Sequence, residues 1–140
     1  LFLKNIFHFR KNKKLIKKFI EKNKNRITTA QHPYANSKIM KILGLDYNIK
    51  TEKSLMYYSS MNSKIINKII KKDLMKIKNK RNFSIGLGVI ATGVLGNEPI
   101  LSSKKLEEDL EFIKKIGFSK IIIFRLGGLN KDYIKLINKF

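Results

Sequence analysis

Residues 83–91, FSIGLGVIA, and residues 120–126, KIIIFRL, are apolar without the alternation that a half-wet strand requires. An unbroken apolar run of this length marks a strand buried on both faces, the condition of a parallel sheet covered by helices. Each run is preceded by a segment of helical period. Ile65, Ile66, Ile69, Ile70, Leu74 and Ile77 form one stripe, with Lys64, Lys68, Lys71, Lys72 and Lys78 around it; Leu106, Leu110, Ile113 and Ile116 form a second. Asn62-Ser63 and Ser102 stand where helix N-caps belong, and Leu101 and Leu106 are spaced to staple the second start. Glu107, Glu108 and Asp109 lie toward the positive end of that helix, Lys114 and Lys115 toward its negative end, and Gly117 closes it.

The same alternation extends toward the N-terminus. RITTAQHP, residues 26–33, is β-branched and stops at a proline that holds His32 extended. Residues 36–44 read as a brief helix ending at Gly44, and KSLMYYSSM, residues 53–61, as a strand ending at Ser59-Ser60. Before them, residues 11–25 place Leu15, Ile16, Phe19 and Ile20 among lysines, a basic amphipathic helix. Asp132 to Phe140 supply a closing helix. Residues 1–25 are therefore a basic helix and 26–140 one β/α repeat domain, with strands expected at 27–31, 55–59, 84–91 and 121–125. No Asn-Gly hairpin signal separates alternating runs, and the implied fold class is α/β with a parallel sheet and right-handed crossovers.

Charge narrows the partners. The chain of 140 residues carries net charge +21, and residues 1–80 hold 21 basic against 4 acidic side chains. Only Arg10, Arg26, Arg81 and Arg125 are arginines; the remainder are lysines among abundant Ile and Asn, a compositional bias more than the arginine-rich signature of phosphate recognition. No run approaches the roughly 20 apolar residues of a membrane-spanning helix, so the expectation is a soluble, cytoplasmic chain. Cysteine is absent, which removes thiolate metal sites, disulfides and thiol nucleophiles. His8 and His32 stand apart, and neither a metal site nor a cofactor is expected. Gly86, Gly88 and Gly93 miss the dinucleotide spacing, and no Lys-Ser/Thr follows a glycine loop, so nucleotide cradles are excluded.

In unit length and strand character the chain resembles the last four units of the (β/α)8 barrel, the TIM-barrel superfold. A small open doubly wound sheet is the alternative. Completing a half-barrel calls for a missing N-terminal half or a second copy, and the first residue, Leu1, fits a fragment. In either architecture the ligand site lies at the carboxyl ends of the strands. Collected there are His32, Tyr57 with Tyr58, Ser59 with Ser60, Asn97 and Glu98, and Arg125 with Gly127 and Gly128. Glu98 or His32 is the candidate general acid or base, Arg125 the anion partner, Tyr57 or Tyr58 an aromatic wall, and the Gly127-Gly128 amides a phosphate cradle.

This set suits an isomerase or lyase acting on a sugar or phosphorylated small molecule better than a glycosidase, which needs a second carboxylate. A hydrolase would draw that carboxylate from the absent half. The alternative of another class is a non-catalytic basic module, in which residues 11–26 and the Lys-rich helix expected from Ser63 to Arg81 bind nucleic acid or an acidic membrane surface.

Overall fold

The computed structural model describes residues 6–31, 51–88, 90–92 and 96–140, with residues 6–10 described by backbone alone. Among them are α1 (Ile6–Lys22), β1 (Thr29–Gln31), β2 (Lys53–Tyr57), α2 (Lys64–Met75), β3 (Phe83–Gly88), α3 (Ser103–Lys115), β4 (Ile121–Phe124) and α4 (Lys131–Ile137). The four strands form one sheet in the order β1-β2-β3-β4, and every neighbouring pair is parallel. The α/β class with parallel β/α units is therefore correct. The order contains no reversal, whereas a doubly wound sheet reverses at its switch point. His32, Gly93 and the brief helix expected at 36–44 lie outside the described residues.

Caps explain the helix starts. Ser63 Oγ accepts from Ile66 N at 3.3 Å, and Ser102 Oγ accepts from Lys105 N at 3.3 Å. Leu101 and Leu106 are both buried, as a staple requires. Gly117 ends α3 with φ +89°, a conformation that strains any residue carrying a Cβ. The second helix stops at Met75 rather than running on to Arg81. Lys76 caps it, Ile77 N turns back to Leu74 O at 3.3 Å, and residues Lys80–Asn82 make a 3-10 turn into β3.

One core joins sheet and helices. Leu55, Tyr57, Ile85 and Leu87 of the strands pack with Ile70 and Leu74 of α2, Leu106, Leu110 and Ile113 of α3, and Tyr133 and Leu136 of α4. Register aligns Leu55 with Ile85 and Tyr57 with Leu87, so the odd-numbered positions of β2 and β3 share the helix-covered face. The Tyr133 hydroxyl donates to Leu101 O at 2.5 Å and ties α4 to the approach of α3.

The opposite face carries Met56, Tyr58, Gly86, Gly88, Ile122 and Phe124. In β3 the unbroken apolar run is buried on both faces, as its composition implies. In β4 it is not. Ile122 is 49% and Phe124 37% exposed: β4 is an edge strand, and this face lies opposite the one on which α2, α3 and α4 pack. Helix stripes are likewise buried only in part: α2 buries Ile70 and Leu74 but leaves Ile65, Ile66 and Ile69 exposed, and α1 buries Ile20 but leaves Leu15, Ile16 and Phe19 exposed.

Candidate functional site

Parallel pairing brings the strand exits to one edge. Gly88 of β3 lies opposite Phe124 of β4, and Ile90 N donates to Phe124 O at 3.0 Å, carrying the ladder past the end of the strand. After Arg125 the chain makes a 3-10 turn, Leu126–Gly128. A Cβ on Gly128 would stand 2.6 Å from Ala91 Cβ, so this turn is seated on the exit from β3. Gly127 faces open space. The two glycines expected to offer amides thus divide their work: Gly128 is a packing contact and Gly127 is unconstrained. Arg125 is exposed and forms no ion pair among the described residues. Glu98, half-buried, and Asn97, exposed, sit on the segment leading into α3; Glu98 makes an interaction of its own, while the cap of α3 is the Ser102 hydroxyl.

Of the two candidate aromatics at this edge, Tyr57 lies on the face packed by α2, α3 and α4, and Tyr58 lies on the opposite face. The Tyr58 and Phe124 rings lie 6.3 Å apart at an interplanar angle of 35°. Between them runs Gly88. A Cβ there would meet Phe124 O at 2.9 Å, Phe124 Cβ at 3.2 Å and the Tyr58 ring at 3.5 Å, so the absent side chain is what lets the aromatics approach over the sheet. The Tyr58 hydroxyl reaches Met56 Sδ at 3.6 Å, and desolvation raises the Tyr58 pKa. Two residues beyond Tyr58, Ser60 Oγ is buried without a hydrogen-bond partner among the described residues. Native structures seldom leave such a hydroxyl unmatched.

Tyr57 and Ser59 point the other way, into a buried polar cluster around Asp109. Asp109 belongs to α3 and is fully buried. It accepts from the Tyr57 hydroxyl at 3.4 Å and in a short contact from Ser59 Oγ. Lys105 Nζ lies 3.4 Å away and Lys71 Nζ 4.0 Å. Asn62 and Asn67 fix the same exit from outside, donating to Tyr58 O and Ser59 O, each at 2.9 Å. The β2 exit is therefore held to α2, its approach and α3 by hydrogen bonds to its side chains and its backbone.

Asp109 was visible in the sequence only as one of three consecutive acids. Its spacing from Leu106, Leu110 and Ile113 nevertheless places it on the apolar stripe, the signal that separates it from exposed Glu108. Glu108 is held below the usual carboxylate range by its hydrogen bond from Lys105.

Burial foremost, then the Asp109 charge and the hydrogen bond to it, raise the Tyr57 phenol well above its ordinary value. The folded pKa exceeds the unfolded one, so the stabilisation is full below about pH 10 and is lost as pH rises toward the folded value. In denaturant titrations the stability difference between wild type and Tyr57→Phe should shrink by up to about 1.4 kcal/mol per pH unit above pH 10. Lysine titration is common to both proteins and cancels. A difference independent of pH from 9 to 11.5 would contradict the placement of Tyr57.

Among the described residues no group of three or more His, Asp or Glu side chains gathers to hold a metal ion, and no helix is long and apolar enough to cross a membrane. Comparisons with protein-family models, curated proteins and solved structures return no match.

Proposed function

We propose that the chain is part of a barrel-like β/α domain that binds a polar or anionic small molecule, a sugar or sugar phosphate, at the carboxyl edge of its sheet. The observation that carries this reading is the aromatic surface of Tyr58 and Phe124 across Gly88, on the face opposite α2, α3 and α4 and next to the exposed Arg125. An aromatic face buries the apolar side of a sugar ring, and a guanidinium takes a phosphate or carboxylate in two parallel hydrogen bonds. Glu98, on the neighbouring exit, is the candidate acid or base of an isomerase or lyase; His32 is the second candidate.

The barrel-like continuation is supported by the sequential strand order and by the surfaces left open. The outer edges of β1 and β4, the exposed residues Ile122 and Phe124, and the uncovered stripe of α1 are what further β/α units would cover. Those units come from additional sequence or from a second copy.

Calorimetry against a panel of aldose and ketose phosphates with their parent sugars tests the reading. Binding of a phosphorylated member should weaken about tenfold or more in Arg125→Ala, in line with the loss of a charge-assisted hydrogen bond. Glu98→Gln should change stability by no more than about 1 kcal/mol, since a half-exposed carboxylate contributes little. Its effect belongs to turnover, a fall of about 10² to 10⁴. Unchanged affinity in Arg125→Ala would remove the anion site.

A further inference from the structure

The amino edge of the sheet, opposite the proposed mouth, carries a second concave surface. Lys53 begins β2, Phe83 begins β3 and Lys120 precedes β4, and parallel pairing sets all three along one edge. They line an open hollow of about 660 Å³ together with Arg81, Asn79 and Asn82. A second hollow, of about 560 Å³, shares Asn79, Arg81 and Asn82 and adds Lys78 and Lys80. Among the described residues the only acid lining either is Glu52, and it is bound to Lys120 at 2.7 Å. Arg81, common to both, is exposed and forms no ion pair among the described residues.

We propose that these joined hollows bind a single-stranded nucleic acid, with Arg81 at the centre of the backbone track and Phe83 as the surface for an unstacked base. Three features point to this class of ligand. The cations extend through two adjoining hollows, which suits a chain of phosphates and exceeds what one small anion can engage. Phe83, half-buried and packed in part against the core, also lines the basic hollow; an aromatic within a basic lining is the combination by which single strands are held, and a duplex offers no free base face to it. The Asn79 and Asn82 amides supply donors and acceptors for base edges. Arginine is scarce in this chain, and one of its four sits where the hollows meet.

The test is fluorescence anisotropy of the full chain with a labelled 20-nucleotide oligo(dT) at 50 and 200 mM salt. Affinity should fall about tenfold or more between the two, and Arg81→Ala with Lys53→Ala should weaken it at least tenfold while lowering the salt slope by about 1.4, near 0.7 for each lost contact. Phe83→Leu should weaken binding by about fivefold or more through lost stacking. Lys17→Ala with Lys18→Ala removes the same charge from α1 and should leave affinity within twofold. The single Arg81→Ala variant, at an exposed position, keeps the test decisive if the double variant misfolds, which circular dichroism reveals. Equal weakening by the α1 pair, duplex binding as tight as single-strand binding, or inorganic polyphosphate competing equally with no effect of Phe83→Leu would each overturn the proposal.

Discussion

Replacing Asp109 with alanine should cost about 3 kcal/mol of folding stability, the largest loss expected from any single polar side chain described. The change leaves the Tyr57 hydroxyl and Ser59 Oγ buried without their acceptor, and an unsatisfied buried polar group costs about 1–3 kcal/mol. Lys105 and Lys71 contribute less, because their side chains are 37% and 30% exposed and regain water when the carboxylate is gone. Asp109→Asn keeps a polar group at the position, and the two hydroxyls can rotate to meet it, so about half the loss should be recovered. Asp73→Ala, which removes a surface pair to Lys76 at 2.9 Å, should change stability by less than about 1 kcal/mol. Urea unfolding of the three variants measures all of these. An Asp109→Ala protein as stable as the Asp73→Ala protein would show that the cluster does not hold the β2 exit.

The second large effect separates two adjacent glycines. Gly128→Ala drives a methyl into the Ile90 carbonyl and Ala91, both on the chain leaving β3, and backbone cannot yield as a flexible side chain does. Overpacking of this kind costs about 1–3 kcal/mol. The damage should also spread to the exits of β3 and β4, visible as faster amide exchange at Ile90, whose N–H donates to Phe124 O. Gly127→Ala meets nothing within 4 Å and should be neutral. Equal effects at the two positions would contradict the seating of this turn on the β3 exit.

Much of the fold is legible from local chemistry. Unbroken apolar runs at β3 and β4, caps at Ser63 and Ser102 and the terminator Gly117 each act within a few residues of where they are written. What escapes is decided by partners distant in sequence. Whether Tyr57 or Tyr58 faces the helices depends on the parity of β2, fixed by pairing Leu55 with Ile85 and Tyr57 with Leu87. The burial of Asp109 depends on Tyr57 and Ser59, some fifty positions earlier. The second helix stops at Met75 with neither glycine nor proline, because Ile77 turns back to pack against the core. Of the candidate site, the strand-exit location of Glu98 and Arg125 follows from parallel strands alone. The aromatic pair across Gly88 required the register of β3 with β4.

Backbone amide NMR mapping tests the location of the small-molecule site most directly. With the tightest-binding sugar phosphate of the panel, shift changes should group at Tyr58 to Ser60, Gly88 to Ala91 and Arg125 to Gly128, and should vanish in Arg125→Ala. Shifts grouped instead at Arg81, Lys120 and the start of β3, or no shifts at the carboxyl edge with any member of the panel, would contradict the account.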